Sequence, residues 1–378
     1  MDTMEKYYYF MDSITGVGFQ SVQQLMQVFD TPREAYLATQ EQLTRILGER
    51  RARQWCNLRE KMDLEQEYRD LQKKSINFYS YYSPDYPQKL KEISDPPLAL
   101  YVKGSLPKRD SACLAVVGAR RCSSYGREVA RQIGTAFGMA GIPVVSGMAV
   151  GIDGIAQESA LLAGGSSFGV LGCGVDICYP RQHESLYEKI QEKGGVLSSY
   201  KPGTMPKPEL FPPRNRIISG LSDGVIVVEA GDKSGTLITV DMALEQGREI
   251  FCVPGRITDR LSSGCNRLID LGAHMVLSVD QLLETLVGTC TLPMQKEKNL
   301  SPVDGIDKID KSMTKREREV YKLLDIHPIS GEQIFLQLST ESLYNWTFQE
   351  VVETLWQLIC KGVAESVSTG LYMKKSSY

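Results

Sequence analysis

The sequence predicts an α/β protein: a doubly wound, mostly parallel sheet, with a helical domain before it and a three-helix domain ending in a hairpin after it. Three observations predict this. Short apolar runs alternate with helical patterns between Ser111 and Gly255, strand after helix after strand. Residues 1–70 show helical periodicity with no β-like alternation, and the chain ends in VAESVSTGLYMKK, two strand-like pieces joined by Ser-Thr-Gly.

Taken in order, residues 1–70 read as helices, with Leu25, Val28 and Phe29, then Ala35, Leu37, Leu43, Ile46 and Leu47, at helical spacing. The stretch from Leu71 to Asp110 (SYYSPDYPQKL, SDPPLALYVKG) is punctuated by Pro, Tyr and Asp, so ordered loop and short extended pieces are expected. Six apolar runs follow: CLAVVG (113–118), IPVVSG (142–147), SFGVLG (167–172), GVLSS (195–199), DGVIVVEA (223–230) and EIFCVPG (249–255). Strands apolar on both faces indicate a parallel sheet covered by helices, and this domain is bounded at residues 71–288. Residues 289–312 lose periodicity and read as a linker. Residues 313–378 show helical patterns at Glu317–Leu324, Glu332–Leu338 and Thr347–Cys360 before the hairpin, the order of a winged helix.

Composition narrows the function classes. The chain has 378 residues, 43 Lys plus Arg against 46 Asp plus Glu, and a formal net charge of −3. Binding of nucleic acid by a broad basic surface is therefore disfavoured, although a local cluster of cations is not. No apolar run approaches the ~18–20 residues needed to cross a bilayer. Acids stand where a signal peptide would carry basic residues. Nine cysteines, an odd number without any CxxC pair and several inside apolar runs, read as buried reduced thiols. His183, His274 and His327 lack ligand spacing, so neither a metal site nor a Cys–His nucleophile is expected. These features predict a cytoplasmic protein with no metal, no cofactor and no membrane partner.

Ligands of open parallel sheets sit beyond the carboxyl ends of the strands. The loops there are Gly118-Ala119-Arg120, then Gly147 through Gly154, Gly172-Cys173-Gly174, and Gly231 through Thr236. Glycines let a backbone approach a ligand, and N–H groups at a following helix start favour an anion. Arg120 and Lys233 add cations, and Ser234, Gly235 and Thr236 open the next helix, so together they predict a phosphate-binding rim. Any single one of these loops reads equally well as an ordinary turn. G-x-G-x-x-G and G-x-x-x-x-G-K-[ST] are both missing, which disfavours dinucleotide enzymes and P-loop ATPases.

The segment Phe211-Pro212-Pro213-Arg214-Asn215-Arg216 stands apart. Two prolines are expected to fix an exposed turn before a helix opened by Arg-Asn-Arg. An aromatic ring beside two guanidinium groups suits a single-stranded nucleic acid, the ring stacking on a base and the arginines meeting phosphates. Phe211 as a core anchor and the arginines as salt-bridge partners remain the alternative. Catalytic signals are sparse: Glu229, Asp153, Asp176 and Asp232 fall near strand ends, and Asp153 and Asp232 read equally as helix N-caps.

Together VVGARRCSSYG, VVSGMAVGIDGIAQESAL, GVLGCGVDICYP, the block from Phe211 to Gly255, and SSGCNRLIDLGA closely resemble the DNA-processing protein A (DprA, or Smf) family. The resemblance is dense from Tyr86 to Ala273. It implies an extended Rossmann-like domain in a cytosolic, homodimeric single-stranded DNA-binding recombination mediator. Such a protein guards incoming strands in natural transformation and helps load the RecA recombinase, without being an enzyme. It also implies DNA contacts at Gly118, Ala119 and Arg120, where Ala119 replaces the usual Ser, and at Gly147. The F-P-x-R-N-R motif places further contacts at Phe211, Arg214, Asn215 and Arg216, and the K-S-G-[ST] helix start at Lys233, Ser234, Gly235 and Thr236. Gln157, His183 and Ser199 depart from the family pattern, where Ala-His, Asn and Ser-Glu are usual.

Ile14-Thr15-Gly16-Val17-Gly18 looks like the glycine hairpin of a helix-hairpin-helix or sterile-alpha-motif-like module, or else a simple turn. Residues Met313–Tyr378 hold seven Lys plus Arg and eight Asp plus Glu, and the third helix there carries Glu350 and Glu353 with no basic residue. Duplex reading by that helix is disfavoured, and protein contact or regulation is expected instead. The competing functional reading is a nucleotide phosphoribohydrolase of the lysine-decarboxylase-like (LOG-type) group. Gly231–Thr236 distantly resembles that group's P-G-G-x-G-T loop, but Asp232 and Lys233 break it.

Overall fold

The computed structural model describes residues 4–109, 111–289, 313–325, 328–342, 344–368 and 370–374. The chain forms two compact units, Met1–Cys122 with Ala130–Pro293, and Met294–Tyr378 with Ser123–Val129.

The larger unit opens with six helices: α1 (Glu5–Asp12), α2 (Phe19–Met26), α3 (Pro32–Leu37), α4 (Gln40–Leu47), α5 (Glu49–Lys61) and α6 (Leu64–Lys73). Polar caps set the starts of three of them, α3, α4 and α6. Thr31, Thr39 and Asp63 accept from the amides of Glu34, Gln42 and Gln66, and Gln42 closes a capping box on Thr39. Val28 and Phe29 fall beyond the end of α2, and Val28 is exposed, so the helical spacing there overran the helix.

The rest of this unit alternates strands and helices. β1 (Asn77–Ser80), α7 (Gln88–Lys91) and β2 (Ala99–Gly104) come from the Pro- and Tyr-punctuated stretch. Then follow β3 (Leu114–Val117), α8 (Ser124–Ala140, part of this unit from Ala130 on), β4 (Val144–Ser146), α9 (Ile152–Leu162), β5 (Ser167–Val170), α10 (Glu184–Lys193) and β6 (Gly195–Ser198). The second half holds α11 (Phe211–Leu221), β7 (Gly224–Val227), α12 (Gly235–Glu245), β8 (Glu249–Cys252), α13 (Ser263–Asp270), β9 (His274–Met275) and α14 (Val279–Thr289).

These strands form one sheet in the order β1-β2-β6-β5-β4-β3-β7-β8-β9. Seven of them, β6 through β9 in that order, run parallel, and β1 and β2 extend the sheet antiparallel beyond β6. The strands of the middle are buried along their whole length, as expected of a sheet covered on both faces. Alternate residues feed two clusters: Tyr101 and Val196 join one, and Leu100, Val102 and Leu197 the other. The first cluster is shared with the helical region, where Phe10, Trp55, Phe78 and Tyr101 are buried in edge-to-face contacts.

All six apolar runs hold a strand, β3 through β8, and each strand starts within two residues of the start of its run. The two-residue strand β9 was not announced. Cys113, Cys173, Cys252 and Cys265 are buried, whereas Cys56, Cys122 and Cys178 are half-buried and Cys360 is exposed, which corrects the expectation of buried thiols for these. Cys290 and the expected linker from residue 290 onward lie outside the described residues, while Thr289 closes α14.

The smaller unit contains α15 (Lys315–Leu323), β10 (Ile329–Ser330), α16 (Gly331–Glu341), α17 (Phe348–Cys360), β11 (Ala364–Ser368) and β12 (Leu371–Lys374). Each helix starts on a capping box: Thr314 with Glu317, Ser330 with Gln333, and Thr347 with Glu350. The strands form an antiparallel sheet in the order β10-β12-β11, and Val320, Ile334, Val351, Leu355 and Leu358 make the centre of the core.

Candidate functional site

The chain reverses its direction of travel across the sheet between β3 and β7. From β3 it winds through β4, β5 and β6 on one side, and then returns to pair β7 directly against β3. A crevice opens at such a switch point, outside the carboxyl ends of the strands. Here it is a cleft of about 530 Å³ whose walls include Gly118, Arg120, Phe211, Arg214, Asn215, Ser234, Gly235 and Thr236. A recess of about 60 Å³ shares Arg120, Phe211 and Arg214 and adds Gly147.

Nine of the twelve residues expected at the site therefore line these two spaces. The other three do not. Ala119 is 9 % exposed, and its carbonyl accepts from the Ile152 amide at 3.3 Å. Lys233 is exposed on the turn just before Ser234. Arg216 turns away: its Nε donates to the Asp95 carbonyl at 2.8 Å and lies 3.3 Å from the Asp95 carboxylate, and its Nη1 donates to the Pro213 carbonyl at 2.7 Å.

Phe211 begins α11, with Pro212 and Pro213 in its first turn, so the prolines start the helix and do not form a turn before it. The ring is half-buried and sits among cations and another ring. The Arg120 guanidinium lies 5.6 Å and that of Arg214 6.0 Å from its centroid, and Tyr179 stacks at 5.5 Å with planes 28° apart. A Cβ at Gly172 would come within 2.6 Å of this ring, so the glycine makes room for it. Arg120 itself is exposed.

Ser234 is the N-cap of α12, its hydroxyl accepting from the Thr236 amide at 3.2 Å. The N-cap role considered for Asp232 therefore belongs to Ser234. Asp153 is not a cap either: Gly151 holds that position in α9, and Asp153 is buried with its carboxylate accepting from the Gly147 amide at 3.1 Å. Burial pushes the Asp153 carboxyl up, opposed by the Arg214 guanidinium, the Ser146 hydroxyl and the Gly147 and Gly118 amides.

Arg214, expected to reach out to phosphate, is 5 % exposed. It donates to the Gly147 carbonyl at 3.0 Å, to the Val170 carbonyl, and through Nε to Asn215 Oδ1 at 3.3 Å. Burial brings its pKa down to about 10, with Asp153 pulling upward and Arg120 downward, so it stays charged at neutral pH.

The β4–α9 loop is clamped from several sides. Met148 has φ 53°, an uncommon conformation for a residue with a Cβ. Its amide donates to Gln157 Oε1 at 3.1 Å, and His183 Nδ1 lies 3.0 Å from its carbonyl. Gln157 in turn donates to Ser167 Oγ and the Phe168 carbonyl, both at 3.1 Å, so Gln157 and His183 together hold one loop. Gly151 has φ 88°, and a Cβ there would lie 2.3 Å from the Ala119 carbonyl oxygen and 2.6 Å from that of Arg120. This loop thus forms the floor under Arg120.

Sequence reasoning missed Tyr179 and Lys207, which also line the cleft. Lys207 sits in Pro206-Lys207-Pro208, four residues before Phe211, and that cation between two prolines was the available signal. Among the described residues, no cluster of three or more His, Cys, Asp or Glu is placed to hold a metal, and no helix is long and apolar enough to cross a membrane.

Residues 77–287 match the family model for DNA recombination-mediator protein A. The Smf protein of Synechocystis is 35% identical over 306 residues, which cover 79% of this chain and 77% of that protein. The X-ray structure of DNA processing protein A from Streptococcus pneumoniae superposes with a TM-score of 0.66 at 35% identity, over 74% of this chain and 97% of that one. A structure of DNA processing protein A from Helicobacter pylori, described for its single-stranded DNA binding mode, gives a TM-score of 0.52 at 29% identity, over 56% of this chain and 96% of that one. The switch-point cleft lies within the matched residues, and the chain belongs to the DNA recombination-mediator protein A family.

Proposed function

We propose that this protein binds single-stranded DNA in the switch-point cleft and acts as a recombination mediator, guarding incoming strands in natural transformation and assisting RecA loading. The observation that carries the reading is the meeting of Arg120, Lys207 and the half-buried Phe211 with the α12 N-terminus in one cleft. Phosphates meet the two cations and the helix start, and a base stacks on the aromatic surface. The single-stranded DNA binding described for the Helicobacter pylori relative supports it. Lys233, exposed beside Ser234, extends the phosphate track.

The protein acts in the cytoplasm as a homodimer, whose two clefts on one strand raise overall affinity through effective concentration. Among the described residues no strand pairs the outer edge of the terminal strand β9, and Leu271, Met275 and Leu277 beside it are 72 %, 42 % and 70 % exposed, a surface suited to a second copy. The smaller unit is a winged helix in the order helix, strand, helix, helix, two-stranded wing. Its residues 331–360 carry four acids and no Lys or Arg, and α17 exposes Phe348 and Trp356, which favours protein contact over duplex DNA.

The test is binding of oligo-dT and of duplex DNA at two salt concentrations, with and without RecA, beside a mononucleotide hydrolysis assay. Salt-dependent preference for the single strand and faster RecA assembly on it support the reading. Equal affinity for both forms, or hydrolytic turnover of the nucleotide, overturns it.

A further inference from the structure

The geometry points to Arg214 and Asp153 as a buried positioning pair that holds the DNA-facing loops in place, and to Arg214 making no contact with DNA itself. This rests on the single-stranded DNA reading of the cleft.

The two side chains tie together the ends of three neighbouring strands. Asp153, from α9, accepts from the Gly147 amide just after β4 and is also held by the Gly118 amide just after β3. Arg214, from α11, donates to the carbonyls of Gly147 and of Val170, the last residue of β5. Both N–H and C=O of Gly147 are therefore consumed by this pair. A Cβ at Gly147 would lie 2.7 Å from the guanidinium, so this glycine, expected as a DNA contact, is the space in which Arg214 lies.

The brace extends to the exposed cation. Ile152, the residue before Asp153, donates its amide to the Ala119 carbonyl, and Gly151 lies against the carbonyls of Ala119 and Arg120. Fixing Asp153 fixes the start of α9, and the start of α9 fixes the peptide that carries Arg120. A guanidinium with two carbonyl partners, a carboxylate nearby and 5 % exposure has little left to offer a phosphate.

The two roles predict opposite signs for one substitution. If Arg214 were a phosphate ligand, Asp153→Asn would remove a competing anion and tighten binding. As half of a brace, Asp153→Asn leaves a buried charge unpaired, loosens the loops and weakens binding. The experiment measures oligo-dT affinity by fluorescence anisotropy over a salt series for wild type, Asp153→Asn, Arg214→Gln and the double variant, with circular dichroism to follow folding. Expected are losses of about tenfold or more for each single variant. The double variant, with neither charge left unpaired, recovers part of the loss, and its slope of log K against log salt equals that of wild type.

Tighter binding by Asp153→Asn overturns the proposal. So does a salt slope in the double variant reduced by about 0.7, the signature of one lost phosphate contact on a single strand. Loss of folding in the double variant overturns it as well, since the pair would then serve the fold and not the loops. A wild-type chain that binds no oligo-dT overturns the underlying reading of the cleft, an outcome distinct from wild-type binding with the variants' effects reversed.

Discussion

The Arg120 guanidinium lies 5.6 Å from the centre of the Phe211 ring, although the two residues come from opposite halves of the sheet, one after β3 and the other before β7. A cation and an aromatic face so placed can share one nucleotide, the ring taking the base and the guanidinium the phosphate. The two variants should therefore fail differently. Arg120→Ala is expected to weaken oligo-dT binding about tenfold and to reduce the salt slope by about 0.7. Phe211→Ala is expected to cost about 1–3 kcal/mol of binding with the salt slope unchanged, and Phe211→Trp to retain most of the affinity. Anisotropy titrations across salt concentrations check both.

Arg216 makes a contrasting control, next in α11 to the cleft residue Asn215. Its guanidinium is held by Asp95 and the Pro213 carbonyl. Arg216→Ala is expected to leave the oligo-dT salt slope within about 0.2 of wild type and to lower stability by about 1 kcal/mol through the lost hydrogen bonds. A denaturant melt together with the salt series separates the two effects. A slope loss as large as that of Arg120→Ala would place Arg216 on the DNA.

The contrast between these arginines marks where sequence reading ended. β3, β5, β6, β7 and β8 were legible because strands covered on both faces leave short uninterrupted apolar runs. β9 and β10 have two residues each, too few for any periodicity. In the site, the glycines and the Ser234–Thr236 helix start announced themselves by local chemistry, although the N-cap itself fell on Ser234 and not on Asp232. What each arginine does depends on partners far along the chain: the Asp95 carbonyl is 121 residues from Arg216, and the Gly147 carbonyl 67 residues from Arg214. Local sequence shows a cation but not which acceptor the fold will bring to it. Tyr179 was hidden for the same reason, since the fold brings its ring onto Phe211, 32 residues further along the chain.

The exposed apolar strip beside β9 bears on assembly. Leu277→Asp places a charge where Leu271 and Met275 are also exposed, at the free edge of the sheet. At 70 % exposure the side chain contributes little to the core, so the fold should survive with its melting temperature nearly unchanged. With the proposed dimer formed at this edge, sedimentation is expected to show a dimer for wild type and a monomer for the variant, and affinity for long oligo-dT is expected to fall. Unchanged sedimentation would move the dimer contact elsewhere.

Asp12 makes stability depend on pH at a place remote from the cleft. At the end of α1 its carboxylate accepts from the Tyr101 hydroxyl at 2.7 Å, and Lys201 is the nearby cation. Burial raises its pKa to about 6, outweighing both the Tyr101 hydrogen bond and Lys201. Lys201 is itself pushed downward by burial, against the pull of Asp12 and Glu67, and Tyr9, whose ring lies 5.5 Å from the ammonium, is raised out of the working range. A carboxyl raised on folding binds its proton more tightly in the folded chain than in the unfolded one. Its contribution is therefore most favourable below the ordinary Asp pKa of 3.8 and is lost as pH climbs through about 6. Asp12→Asn keeps an acceptor for Tyr101 and removes the titration. The variant is expected to be more stable than wild type at pH 7.5 by roughly 1–3 kcal/mol, the size that the raised carboxyl pKa sets. The difference between the two proteins should shrink toward pH 4, and urea melts across that range check it. A variant less stable than wild type at pH 7.5 would mean that the ionised Asp12 and Lys201 form a net favourable pair.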